Sequence, residues 1–219
     1  MAPYKIFVFD AYGTLFDVNS AVARRREHIG PQADRLAELW RAKQLEYTWV
    51  RSLMNSYRDF QALTEESLRF AAERIGGLPA QLQTDLLNAY RELDAYADVP
   101  PRLSQLKSVG VRTAILSNGT MAMLEAACTA AGIAPLIDAL LSVDAIGVFK
   151  TDQRVYDLVG ERFDCAPREV SFQSSNRWDV AAASHYGFRS VWINRSSQPD
   201  EYSDHPPDRT IRTLEELTD

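Results

Sequence analysis

With 219 residues, 46% of them hydrophobic and 25% charged, the chain has the size and composition of one globular core with room for an inserted module, which excludes a stapled miniature scaffold, a collagen-like repeat and a disordered polymer. Its 24 Lys and Arg against 30 Asp and Glu give a net charge of −6, so the broad basic face that nucleic acid requires is lacking and no nucleic-acid partner is expected. Cys128 and Cys165 are far apart and outside any CxxC spacing, which signals neither a disulfide framework nor a zinc site and suits free thiols in a reducing cytoplasm.

The first element in chain order is Tyr4 to Phe9, a short apolar run rich in aromatic and β-branched residues that stops at Asp10 and the turn-prone Gly13; it predicts a buried strand. This run is cut by Asp10 and lacks a small-residue cleavage site, and no later stretch reaches membrane-spanning length. A soluble, unprocessed, cytoplasmic protein without membrane contact is expected. Helical periodicity follows, first in Leu36, Leu39, Trp40, Tyr47 and Val50. Leu68, Ala71, Ala72 and Ile75 repeat it, with Thr64 as the expected N-cap and Gly76-Gly77 as the stop. Leu82, Leu86, Ala89, Tyr90 and Leu93 predict another helix, opened by Pro79 and closed before Pro100 and Pro101. Such an interval is too long for an ordinary crossover, so residues 18–97 are expected to form an inserted helical module. Further strands are expected at Val111 to Leu116, Ala139 to Val143, Val170 to Phe172 and Ser190 to Ile193, most of them preceded by helical segments ending at Gly110, Gly132 or Gly187. Strands alternating with helices specify an α/β fold: a Rossmann-like, doubly wound parallel sheet built from residues 1–17 and 98–219.

Ligands of open α/β sheets bind beyond the carboxyl ends of the strands, where this chain places Asp10, Ser117, Asn118, Ser174, Ser175, Asn176 and Asp179. All are polar, whereas ordinary strand ends mix in apolar residues and lone glycines. Asp10 offers a carboxylate nucleophile if nearby cations keep it charged; taken alone it reads first as a helix cap or Asx turn. Ser117-Asn118-Gly119 offers backbone N–H groups and two short polar side chains to an anion, using the same residue types as a capping turn. Arg41 lies beside the Trp40 face with Leu45 and Trp49 at i+4 and i+8, on a strip suited to a cleft wall. Together with Lys150 and a helix terminus it could offset negative charge in a small site, although either cation alone reads as a solvated surface side chain. His28, His185 and His205 show no ligand spacing and are read as structural.

Assembled, these residues resemble the L-2-haloacid dehalogenases, within the haloacid dehalogenase-like hydrolases, over essentially the whole chain. The resemblance rests on Phe9-Asp10-Ala11-Tyr12-Gly13-Thr14-Leu15-Phe16-Asp17, Trp40-Arg41 with Leu45-Glu46-Tyr47, Ser117-Asn118-Gly119, Lys150 with Arg154-Val155-Tyr156, and Ser174-Ser175-Asn176 before Trp178-Asp179. It implies that the insertion is a cap domain and that a small anionic L-2-haloacid is hydrolysed to a D-2-hydroxy acid. Asp10 would attack carbon 2 with inversion, and water would then open the aspartyl ester. The resemblance implies Asp10, Thr14, Arg41, Ser117, Lys150, Tyr156, Ser174, Asn176 and Asp179 as catalytic positions. Arg41 and Asn118 would hold the halide, and Ser117 with backbone N–H groups the substrate carboxylate. Ala11, Tyr12, Leu45, Phe60 and Trp178 would complete the substrate pocket, with interdomain packing as the other reading of its apolar members. Lys150 would keep Asp10 ionised while Thr14 and Ser174 orient it. Asp179, assisted by Asn176, is favoured to activate water, with Tyr156 a further catalytic position; the proton acceptor stays open between these groups. In the alternative reading Asp179 caps a helix and holds Lys150, while Tyr156 packs. A homodimer joined through the helical insertion is also implied.

Phosphatases of the same superfamily carry a second aspartate two residues after the nucleophile, which protonates an alkoxide leaving group; Tyr12 stands there in this chain, and a halide departs without a proton. Their last motif, Gly-Asp-x-x-x-Asp, holds magnesium. Here it reads Ser174-Ser175-Asn176-Arg177-Trp178-Asp179, so one acid is missing and Lys150 can supply the charge. No metal or other cofactor is expected. Ala42, Thr151-Asp152-Gln153, Gln173 and Arg177 depart from the dehalogenase pattern and bear on pocket polarity and substrate size, with Arg177 either an added anion contact or a solvent-facing side chain. The competing readings are a magnesium-dependent small-molecule phosphatase and a noncatalytic interaction module.

Overall fold

Every residue of β1 (Ile6–Phe9) is buried, as an unbroken apolar strand covered on both faces requires. The computed structural model describes residues 4–217; the ends of the expected core at 1–3 and 218–219 lie outside the described residues. Beyond β1 the chain leaves the sheet for α1 (Ser20–Ala23), α2 (Arg26–Ile29), α3 (Ala33–Leu53), α4 (Phe60–Arg74) and α5 (Ala80–Arg91). It returns through α6 (Val99–Ser108) to β2 (Arg112–Ser117), α7 (Met121–Ala130), β3 (Ala139–Ser142), α8 (Gln153–Phe163), β4 (Val170–Ser174), α9 (Arg177–Tyr186), β5 (Arg189–Ile193) and β6 (Arg209–Ile211).

The strands form one parallel sheet in the order β3-β2-β1-β4-β5-β6. The winding direction reverses at β1, so a crevice opens at its carboxyl end. The expected doubly wound α/β sheet is present, extended by a short, partly polar β6 whose sequence carries no strand signal. Phe9 lies opposite Ile115 on one side and Gln173 on the other. One residue further on, Asp10 therefore emerges level with Ser174. The departing and returning segments of the helical excursion run side by side: Asp17 N donates to Asp94 O at 2.8 Å and Tyr96 N to Leu15 O at 3.0 Å.

Several local expectations are corrected. The cap of α4 is Asp59, whose carboxylate accepts from Ala62 N at 2.8 Å. Thr64 sits within the helix, donating to Phe60 O at 2.7 Å, a second way for a short hydroxyl to satisfy itself locally. Helix α5 stops at Arg91, so Leu93 packs from the following loop. Pro100 and Pro101 lie in the first turn of α6 and open it, since a missing N–H costs nothing there. Strand β3 ends at Ser142, and β4 continues to Ser174. Among the described residues no helix is long and apolar enough to cross a membrane.

Candidate active site

Asp10 is the first residue past β1 and is 5% exposed. The next turn is closed by the Ala11 carbonyl, which accepts from the amides of Thr14, Leu15 and Phe16 at 3.2, 2.9 and 3.0 Å. Gly13 supplies the φ of +90° that the turn needs. Thr14 is thereby swung back so that its Oγ1 donates to Asp10 Oδ2 at 2.9 Å, while accepting from Ser175 N at 2.8 Å.

The segment between β4 and α9 supplies the next donors. Asn176 Nδ2 donates to Asp10 Oδ2 at 2.8 Å, and Ser174 Oγ approaches the same oxygen at 3.5 Å. Asn176 holds the N-cap position of α9 but makes no side-chain cap bond. Its amide is turned into the crevice, donating also to Tyr12 O at 3.1 Å and accepting from Arg41 Nη2 at 3.4 Å.

Lys150 is wholly buried, where sequence alone favoured solvent. Its Nζ donates to Asp10 Oδ1 at 3.1 Å and to Asp179 Oδ2 at 2.8 Å. Its backbone N–H donates to Asn118 Oδ1 at 3.0 Å, which fixes where the side chain starts. Tyr156 donates to Asp179 Oδ1 at 2.7 Å from α8. Asp10 thus accepts side-chain bonds on both oxygens rather than capping a helix, and Asp179 holds Lys150 and Tyr156 from the first turn of α9.

Burial pushes the Asp179 carboxyl up to about 6, with the like charge of Asp10 adding and the Lys150 ammonium opposing. For Lys150 burial acts downward, but its two carboxylate partners outweigh it and hold the ammonium above its ordinary range. Burial, reinforced by Asp179, keeps the Tyr156 phenol protonated far above its usual range. Lys150 and Arg41 offset Asp10 and Asp179, so the bare site is near neutral before an anion enters. A divalent cation would need the space between Asp10 and Asp179, which the Lys150 ammonium bridges, and Ser175 brings only a hydroxyl where a third carboxylate would be required. These residues do not fit a magnesium ion.

The apolar wall is built on Tyr12, whose ring stacks on Tyr90 with centroids 5.6 Å apart and meets Phe60 at 5.4 Å. A Cβ on Gly119 would fall 2.7 Å from that ring, so the backbone after β2 packs directly against it. Leu45 is half-buried on α3. Trp178 meets Trp49 edge-on at 5.6 Å, which is packing between the helical excursion and α9; it also borders a cavity of about 470 Å³ with Gly13, Ser175 and Asn176. Ser117 is buried with its Oγ accepting from Gly119 N at 3.1 Å. It caps no helix: α7 starts later, behind Thr120, whose hydroxyl accepts from Met123 N at 3.2 Å.

The residues that depart from the dehalogenase pattern do not join this network. Arg177 does not face solvent: it is buried, pairs with the Asp200 carboxylate and donates to the carbonyls of Tyr202 and His205, pinning the loop after β5. Gln173 donates to Ser171 Oγ at 2.6 Å. Ala42 and Thr151 are exposed, and Asp152 caps α8 through Arg154 N at 3.0 Å. Sequence reasoning missed Gln44 and, as a site residue, Tyr90. Gln44 donates to Thr64 Oγ1 at 2.7 Å, and its Oε1 accepts from Arg41 Nη1 at 2.9 Å and from Tyr90 OH at 3.2 Å. Its signal was an uncharged polar residue four positions after Trp40, on the face of α3 that packs inward.

Residues 4–187 match the family model for haloacid dehalogenase-like hydrolases. The (S)-2-haloacid dehalogenase 1 of Pseudomonas sp. (strain CBS-3) is 47% identical over 99% of this chain and 96% of its own length. The (S)-2-haloacid dehalogenase 4A of Burkholderia cepacia is 44% identical over 96% of this chain and 91% of its own. The solved L-2-haloacid dehalogenase of Xanthobacter autotrophicus with chloropropionic acid covalently bound superposes with a TM-score of 0.89 at 35% identity, covering 96% of this chain and 95% of that one.

Proposed function

The chain belongs to the haloacid dehalogenase-like hydrolase family, and within it we propose that this protein is an (S)-2-haloacid dehalogenase converting short-chain L-2-haloalkanoic acids to D-2-hydroxy acids. The observation that carries the reading is the Lys150 ammonium lodged between Asp10 and Asp179. It sets a fixed positive charge against a buried carboxylate at the crevice, while Tyr12 occupies the position from which a phosphatase would protonate its leaving group.

In the first step an Asp10 carboxylate oxygen forms a bond to carbon 2 as the carbon–halogen bond breaks, its electron pair leaving with the halide, and the configuration inverts. Arg41 and Asn118 receive the halide. Ser117 and backbone N–H groups hold the substrate carboxylate, with Ala11, Tyr12, Leu45, Phe60 and Trp178 as the pocket. Thr14, Ser174 and Asn176 hold Asp10 in line, and this positioning supplies much of the rate. In the second step water attacks the ester carbonyl of Asp10 and its proton passes to Asp179, the carboxylate whose raised pKa gives it base strength near neutrality; Asn176 and Tyr156 assist. The acyl–oxygen bond breaks as the leaving alkoxide takes back the proton held by Asp179, the second proton of the water passes to solvent, and the Asp10 carboxylate is regenerated. The covalently bound chloropropionic acid of the Xanthobacter relative supports a covalent route.

Residues 18–97 act as a cap that carries Arg41 onto the core, and the protein works in the cytoplasm as a homodimer. The dimer reading is supported by an apolar stripe on the end of α3, where Trp49, Val50, Leu53 and Met54 are exposed, Leu53 by 84%. Light scattering of the wild type and of Leu53→Asp tests it.

The deciding experiment is a single turnover of L-2-chloropropionate with excess enzyme in heavy-oxygen water. The first hydroxy acid released is expected to carry unlabelled oxygen from Asp10, in the D configuration. Label in that first product excludes the aspartyl ester, and phosphate release from phosphate esters without halide release would favour a phosphatase instead.

A further inference from the structure

We infer that Gln44, backed by Tyr90, is the positioning residue that aims Arg41 at the departing halide while leaving its charge unspent; the inference rests on the halide role proposed for Arg41. Two properties of the guanidinium frame the case. It makes no ion pair among the described residues, and Gln44 Oε1, Tyr12 O and Asn176 Oδ1, which accept from it, are all uncharged. A cation held by neutral acceptors is fixed in place without being neutralised and keeps its charge for an incoming anion.

The orientation of the Gln44 amide follows from the groups around it. Thr64 commits its hydroxyl hydrogen to Phe60 O at 2.7 Å, so toward Gln44 it can only accept, and the Gln44 atom at 2.7 Å from it must be the NH2. The carbonyl end then faces Arg41 and Tyr90, both donors. A flipped amide would set donors against donors at one end and oxygen against oxygen at the other. Gln44 is 1% exposed and Tyr90 is wedged between the rings of Tyr12 and Trp40, so the assembly has little room to relax. The chain Phe60, Thr64, Gln44, Arg41 therefore transmits the placement of α4 to the guanidinium. Gln44 acts on the substrate only through Arg41.

The test uses Gln44→Met, which keeps the volume and removes the acceptor, and Gln44→Glu, which keeps the shape and places a carboxylate on the guanidinium. With 2-chloropropionate, Gln44→Met is expected to lower kcat by about 10- to 100-fold, the scale of an ångström-sized misplacement, with a smaller change in KM. Gln44→Glu is expected to lower kcat further, because Arg41 is then neutralised by its own support. Chloride, the poorer leaving group, depends more on Arg41 than bromide does, so the 2-chloropropionate to 2-bromopropionate rate ratio should fall in both variants; a purely structural role would leave that ratio unmoved. Crystals of each protein soaked in bromide give a second readout independent of turnover: anomalous density beside an ordered Arg41 in the wild type, and weakened density with a displaced guanidinium in Gln44→Met. Unchanged kcat and rate ratio in both variants, or an undisturbed Arg41 with full bromide density in Gln44→Met, would overturn the inference. A wild type that releases no halide would instead overturn the proposed function, leaving the aim of Arg41 to be read from the crystals.

Discussion

The Nζ of Lys150 lies 2.8 Å from Oδ2 of Asp179, and both side chains are completely shielded from solvent. An ammonium buried this deeply is tolerable only because Asp10 and Asp179 flank it, and each carboxylate is tolerable only because of the ammonium. Truncation should therefore be costly beyond the loss of one contact. Lys150→Met is expected to destabilise the fold by about 3–5 kcal/mol at neutral pH, the usual result of orphaning a buried charge. It should recover stability as the pH falls, because the Asp179 carboxyl, already raised by burial and no longer opposed by the ammonium, then takes up a proton that the unfolded chain binds only at lower pH. Denaturant melts between pH 5 and 8 check this, and a flat difference between variant and wild type across that range would contradict it.

The raised pKa of Asp179 separates the two chemical steps by pH. The carboxyl titrates at about 6 in the folded protein against an ordinary value near 3.8. Between those values the folded state binds a proton that the unfolded state does not, so through this group stability declines as pH rises from 4 to 6. Activity moves the other way. Below about 6 Asp179 loses its capacity as a base, and ester hydrolysis should slow toward tenfold per pH unit while alkylation of Asp10 continues. The aspartyl ester is expected to accumulate at pH 5 and not at pH 8, as read by the mass of the intact quenched protein. Equal accumulation at both values would remove Asp179 as the base.

A site in which an ammonium already bridges Asp10 and Asp179 should be indifferent to chelation. Exhaustive treatment with a chelator is expected to leave halide release within about twofold of its starting rate, since the electrostatic work falls to fixed cations. Loss of activity restored by magnesium, followed with 2-chloropropionate, would contradict this.

How far the site was legible depended on whether its residues were contiguous with a recognisable element. Asp10, Ser174, Asn176 and Asp179 could be read because they lie at or just beyond the ends of β1 and β4, and strand ends in a doubly wound sheet converge. The burial of Lys150 could not, because it lies in a segment without periodicity and acquires its partners from β1 and α9. Thr64 was read as a cap from its residue type, whereas its hydroxyl serves Gln44 across the packed α3–α4 pair, a pairing only the tertiary structure creates. Arg177 was ambiguous for the same reason: its acceptors lie 23 to 28 residues away in an irregular loop. Strand β6 is short, partly polar and at the sheet edge, where neither alternation nor apolar content marks a strand.

Gly119 offers a test of the aromatic wall, because its constraint is close approach rather than backbone conformation. A Cβ there would sit 2.7 Å from Cε2 and 3.0 Å from the hydroxyl of Tyr12, and 3.3 Å from Leu124. Tyr12 cannot retreat freely, since Tyr90 and Phe60 back its ring and its carbonyl is bonded by Arg41 and Asn176. Gly119→Ala is therefore expected to cost about 1–3 kcal/mol, the range for overpacking a filled interior. The same push displaces the aromatic wall proposed to border the substrate's alkyl group, so discrimination between short and longer substrates should change. Comparing KM for 2-chloropropionate and 2-chlorobutyrate, alongside thermal melting, checks both effects. A variant that melts like the wild type and loses no discrimination would mean that the Tyr12 ring does not border the bound substrate.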